Sequence, residues 1–363
     1  MKERLLYIDV LRGIAILTVV YSHILLFCVG YSETSFMTDL LRKYFLNAFF
    51  FLSGFMAYKK SPSLTLYQTG YFHELWKKVK QLLIPTLVSG GLYCVYCAGN
   101  PYAFLADGAK GGYWFTIALF IMFVIYLIEN LTLKWITNEY AQSIVLFIIA
   151  VIVYCWHKTA MSETGWANFL CLGGVSYYFL MFTIGVLCKK HIEVFHKFLE
   201  VPLAKTCIFL TVMVGSLVDY VPLLITNVAV VLLVYFLVKN ICTSEFDSNL
   251  REIDANPYKQ WVYKGLQIIG QNTIQIYFLH YFLLFKMPHG VVNFTHSMYE
   301  GSIANHCSSI VELSIYGTIS VCIALVCIAI RNFFGLYTLC EHNYVWKIIR
   351  NEYNKSISHS ARV

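Results

Sequence analysis

Arg12 and His23 lie eleven residues apart in one apolar stretch. In an α-helix that interval is about 20° past three full turns, so both side chains leave the helix on one face, about 16 Å apart along its axis. Asp9, three residues before Arg12, shares that face. A guanidinium suits phosphate, and an imidazole can take the proton of an attacking hydroxyl. The spacing fits a substrate with a phosphorylated head, a long arm and a reactive end, and a coenzyme A thioester has that build. The expected chemistry is acyl transfer from acyl-CoA to a hydroxyl, with Arg12 holding the donor, His23 as base and Asp9 orienting Arg12. A structural Asp–Arg pair with a hydrogen-bonded buried His competes with this reading and stays open here.

Other segments carry weaker signals. Lys77, Lys78 and Lys80 precede Leu82-Leu83-Ile84-Pro85. They form an ordinary basic flank, or a second contact for a phosphorylated donor. Ser53-Gly54 puts small residues where helix backbones can approach closely. Trp114, in Gly112-Tyr113-Trp114-Phe115, is an interfacial aromatic or a platform for a sugar. Residues 268–280 include Gln271, Asn272, Thr273, Gln275, Tyr277 and His280. So many polar groups cannot all face lipid, so this helix must line the interior or a wet cavity. Ser53, Trp114, Asn272, Tyr277 and His280 are therefore expected around a substrate cavity, with His280 chiefly a structural support. The twelve cysteines are scattered, Cys94-x-x-Cys97 has no second pair, and His289, His296, His306 and Cys307 are irregularly spaced, so no metal site is expected.

The elements that must position these groups follow from composition. The 363 residues are 58% hydrophobic and 13% charged, whereas a soluble domain carries roughly 25% charge. Runs near the roughly 20 residues of a membrane helix fall at 5–29, 44–58, 82–99, 113–133, 142–157, 170–188, 203–218, 222–238, 265–287 and 309–330. The expected fold is all-α, a polytopic bundle of about ten transmembrane helices. With both termini cytoplasmic, the outer loops hold only Arg42, Lys43, Lys110 and Lys158 of the 27 Lys and Arg, a strong positive-inside pattern. The net charge of +7 then reflects contact with anionic lipid rather than nucleic acid. The first span carries Arg12 and His23 and lacks a cleavage site, so it is no signal peptide. One domain is expected at 1–331, with a cytoplasmic tail at 332–363.

These motifs, in this order, resemble the acyltransferase 3 family of integral-membrane O-acyltransferases. Arg12 through His23 is similar to its Arg/Lys-x10-His signature. Phe49-Phe50-Phe51-Leu52-Ser53-Gly54-Phe55, Tyr113-Trp114-Phe115 and Ile269-Gly270-Gln271-Asn272-Thr273 followed by Ile276-Tyr277-Phe278-Leu279-His280 resemble later motifs. The resemblance implies about ten spans, a cytosolic acyl-CoA donor and a glycan acceptor at or beyond the outer face. It matches His23 to the family's essential histidine and Arg12 to its cation. Where relatives often have Arg before the third span, this chain has Lys77, Lys78 and Lys80, which cannot form a bidentate fork. No appended hydrolase-like domain is expected.

The expectation is thus a cytoplasmic-membrane enzyme that moves an acetyl group from acetyl-CoA to a surface polysaccharide or lipid-linked glycan. A transporter or flippase for a sugar-linked lipid or small solute is the alternative, since interior polar residues fit that class too. A catalytically inactive relative is a third.

Overall fold

The computed structural model describes residues 5–29, 36–59, 69–99, 104, 107, 110–160, 165–217, 222–249, 257–288, 290 and 304–334. The expected tail is described only to residue 334, and His289 and His296 fall outside these ranges. Among the described residues there is helix and no strand.

Helix α1 (Leu6–His23) continues as a π-helical segment, Ile24–Val29. It is apolar on nearly every side, which is the pattern of a helix enclosed by others. Two-thirds of this span is buried, against α2 (Phe36–Ala57), α11 (Leu223–Asn249), α12 (Pro257–Gln271) and α14 (Ala304–Phe334). Between them in sequence run α3 (Thr69–Lys78), a π segment at Val79–Leu83, α4 (Ile84–Ala98), α5 (Trp114–Thr132), α6 (Glu139–Ala160), the short α7 (Gly165–Phe169) and α8 (Leu172–Lys190). They are followed by α9 (Ile192–Glu200) and α10 (Pro202–Leu217).

Among the described residues, six stretches are long and apolar enough to cross a membrane: Leu6–Val29, Trp114–Trp135, Glu139–Trp156, Leu172–Lys190, Leu223–Cys242 and Leu313–Phe333. A seventh arises if α9 and α10, bent by 81°, count as one. The bend falls at Val201-Pro202, where Val201 is extended (ψ 124°), as the residue before a proline tends to be. The other expected spans also lie on helix but differ from simple crossings. Residues 44–58 occupy the second half of α2, whose first half carries Asp39, Arg42 and Lys43. Residues 82–99 correspond to the 15-residue α4. The run 265–287 is broken. α12 ends at Gln271, Asn272 leaves helical geometry (φ −106°, ψ 17°), α13 spans Thr273–Leu279, and a 3₁₀ turn follows at His280–Leu283.

Large apolar side chains face outward, the reverse of a soluble protein. On α6, Ile144, Ile148 and Ile152 recur every four residues and are 59%, 49% and 61% exposed. Inside, glycines let backbones touch. A Cβ on Gly270 would collide with the Asp9 carbonyl oxygen and one on Gly13 with that of Leu266, which joins α1 to α12. Gly54 and Gly185 join α2 to α8 in the same way, against the carbonyls of Phe182 and Phe51. Beyond His23, the Cys28 carbonyl accepts the Met287 N–H at 3.1 Å.

Candidate active site

Contacts between α1 and α12–α13 run in register. Gly13 meets Gly270, and His23 meets His280 ten residues further along each segment. The two segments therefore lie parallel, and the polar stripe of α13 borders the Arg12–His23 face. Between that face, α2 and α5 lies a cavity of about 400 Å³ whose walls include both Arg12 and His23. The separation of about 16 Å along α1 thus becomes the length of one chamber.

Lys78 and Gln81 line the cavity with Arg12. The Lys78 ammonium sits 3.8 Å over the Phe123 ring, a cation–π contact. Burial pushes its pKa down to about 8. Glu74 opposes that shift, while Lys77, Arg12 and Lys59 add to it. Glu74 is itself held by Lys59, whose Nζ donates to Oε1 at 2.6 Å. This end of the cavity concentrates positive charge in a low-dielectric setting, which suits a phosphorylated group. Lys77 is exposed, and Lys80 lies 5.3 Å over Trp76. Neither is among the lining residues.

His23 lines the other end, with Gly112, Trp114 and Tyr277. Its Nδ1 is 2.8 Å from His280 Nε2. The Nδ1 of His280 is 3.0 Å from the Ile276 carbonyl oxygen and 2.8 Å from that of Tyr277. Carbonyls only accept, so His280 Nδ1 carries a hydrogen. With both rings neutral, His280 Nε2 accepts from His23 Nδ1–H, and His23 is left with its lone pair on Nε2. The hydroxyl of Tyr281 lies 3.3 Å from that atom. A fixed tautomer with its basic nitrogen defined is what a general base requires.

Ser53 and Tyr277 line the chamber as expected, and Tyr277 donates its hydroxyl hydrogen to the Gly112 carbonyl at 3.0 Å. His280 sits behind His23 rather than in the wall. Asn272 is also behind the wall, where its side-chain NH₂ donates to the Ile268 carbonyl at 2.7 Å and its side-chain oxygen accepts from Arg331. Asp9 is buried and accepts from the lining residue Gln271 at 3.3 Å. The sequence assigned no role to Gln81, Phe123, Gly112 or Tyr281. For Tyr281 a signal existed, since it lies four residues after Tyr277 on the same polar stripe.

Both π-helical segments start directly after a lining residue, one after His23 and the other after Lys78. Wide turns of this type recur at functional sites.

The model of a protein family described as an acyltransferase domain, that of acyltransferase 3, matches residues 5–330. No curated protein and no solved structure matches the chain.

Proposed function

Because this chain belongs to the acyltransferase 3 family and is thus a multi-pass membrane acyltransferase, we propose that it moves an acetyl group from acetyl-CoA to a hydroxyl of a surface polysaccharide or lipid-linked glycan. The reading includes about ten crossings in the cytoplasmic membrane, with both termini inside. The supporting observation is one chamber with Arg12 and Lys78 at one end and the His23–His280 pair at the other.

In this scheme the donor's phosphates meet Arg12 and Lys78 at the cytosolic end, and the pantetheine arm runs along the α13 stripe. Asp9 fixes Gln271 beside Arg12. The thioester then lies at His23, and the acceptor arrives past Trp114 and Gly112. His23 Nε2 takes the acceptor's hydroxyl proton as its oxygen attacks the thioester carbonyl carbon. The C–S bond breaks, and the thiolate leaves with the proton held by His23. The acyl group ends on oxygen and the imidazole is restored. His280 holds the His23 tautomer throughout.

The test is purified protein in proteoliposomes, given isotope-labelled acetyl-CoA and a glycan acceptor. Label on the glycan with wild type, and its loss with His23→Ala, is the expected result. Solute counterflow without label transfer overturns the enzymatic reading in favour of transport.

A further inference from the structure

Four tyrosines cluster beside the imidazole pair: Tyr277 and Tyr281 lie against His280, and Tyr93 and Tyr113 pack on Tyr281. Three have hydroxyls engaged away from the base. Tyr113 donates to the Phe278 carbonyl at 2.9 Å, Tyr277 to that of Gly112 at 3.0 Å, and Tyr93 is hydrogen-bonded to Cys97. Among the described residues, Tyr281 is the tyrosine whose hydroxyl addresses His23 Nε2. That nitrogen has only a lone pair in the tautomer derived above, so Tyr281 is the donor.

The position of this hydroxyl is built rather than incidental. Tyr281 is 2% exposed. Its ring packs on His280 at 4.1 Å, His23 at 4.9 Å and Tyr113 at 5.0 Å between centroids. Its oxygen fits over Gly112, where any Cβ would collide with it. Gly112 also has φ +97°, a conformation L side chains rarely adopt. Tyr281 is not itself among the lining residues, but its hydroxyl abuts two that are, His23 and Gly112.

From this arrangement we infer that Tyr281 is a catalytic residue that donates its hydroxyl hydrogen to the thioester carbonyl oxygen. The inference rests on the proposed acyl transfer. An acceptor hydroxyl must take the Nε2 lone pair in order to be deprotonated, and this displaces the Tyr281 hydrogen. A hydroxyl is a free rotor, so that hydrogen turns to the carbonyl oxygen beside it. As the acceptor oxygen bonds to the carbonyl carbon, the π pair moves to the carbonyl oxygen, where Tyr281 stabilises it by a hydrogen bond. Collapse restores the C=O bond, breaks C–S and sends the His23 proton to sulfur. Tyr281 keeps its own proton and returns to Nε2.

Two measurements test this. Tyr281→Phe keeps the ring and removes the hydroxyl. It is expected to lower kcat about a hundredfold, the effect of losing one oxyanion donor, with KM for acetyl-CoA within about threefold of wild type. In a His23→Ala background the hydroxyl has no imidazole to address. The carbonyl stretch of bound carbon-13-labelled acetyl-CoA is then expected at lower frequency than in the His23→Ala/Tyr281→Phe double variant. Unchanged kcat in Tyr281→Phe, or the same carbonyl band in both backgrounds, overturns the inference, including when kcat falls without a band difference. With a wild type that labels the glycan, such a result removes Tyr281's role alone. A wild type that transfers no label from acetyl-CoA overturns the acyl-transfer reading and this inference with it.

Discussion

His23 Nδ1 lies 2.8 Å from His280 Nε2, and His280 in turn gives its one ring N–H to the carbonyls of α13. The backbone of one helix thereby dictates which nitrogen of a histidine on another helix is basic. His280 is not among the residues that line the chamber but bonds to His23, which is, so in the proposed mechanism it is a positioning residue.

Replacing His280 with Ala removes the acceptor for His23 Nδ1 and lets the tautomer drift. Turnover is expected to fall about a hundredfold, within the range of general acid–base effects, while KM for acetyl-CoA stays within about threefold. His280→Gln keeps a side-chain oxygen that can accept from Nδ1–H and is expected to recover part of kcat. Equal loss in both variants points to packing instead.

Arg12→Ala is expected to raise KM for acetyl-CoA by about tenfold or more, since a hydrogen bond to a charged group contributes roughly 1.5–3 kcal/mol. Arg12→Lys keeps the charge and loses the planar fork, so it falls between. Steady-state kinetics with varied acetyl-CoA checks both. An unchanged KM in Arg12→Ala removes the phosphate role.

Lys78 sets a pH dependence. Burial lowers its pKa to about 8, so the ammonium is charged below that pH and neutral above it. Donor affinity is expected to weaken as pH rises through about 8 and to recover on the acid side. Lys78→Arg stays charged throughout and should flatten this limb. A wild-type and variant KM that rise together with pH would assign the effect to another group.

The glycine contacts predict a stability effect apart from chemistry. Gly270→Ala forces a methyl group against the Asp9 carbonyl, a backbone atom that cannot swing aside. A loss of about 1–3 kcal/mol is expected from overpacking, seen as a lower melting temperature in detergent. Gly265, with nothing within 4 Å of an added Cβ, is the control. Equal melting temperatures for the two substitutions would contradict the packing account.

Much of this was readable from the sequence because helical periodicity is a local property. Arg12 and His23 share a face by arithmetic alone, and the polar stripe through Tyr277 and His280 announces an interior helix. What was not readable depended on neighbours. The break at Asn272 has no proline to mark it, and the residue's partners are the Ile268 carbonyl one turn back and the distant Arg331. Lys77, Lys78 and Lys80 look equivalent in sequence, and only packing against Phe123 brings Lys78 alone into the wall. The role of Tyr281 depends on a tautomer, which no spacing encodes.

The Cys28–Met287 bond ties together the chain segments just beyond the two histidines, as the Gly13–Gly270 contact ties the helices below them. The imidazole pair is thus clamped between two fixed rungs of a ladder. Any widening of the chamber then falls to the facing side, where Lys78 precedes the π segment that holds Gln81. The two imidazoles can keep their alignment while that side gives way.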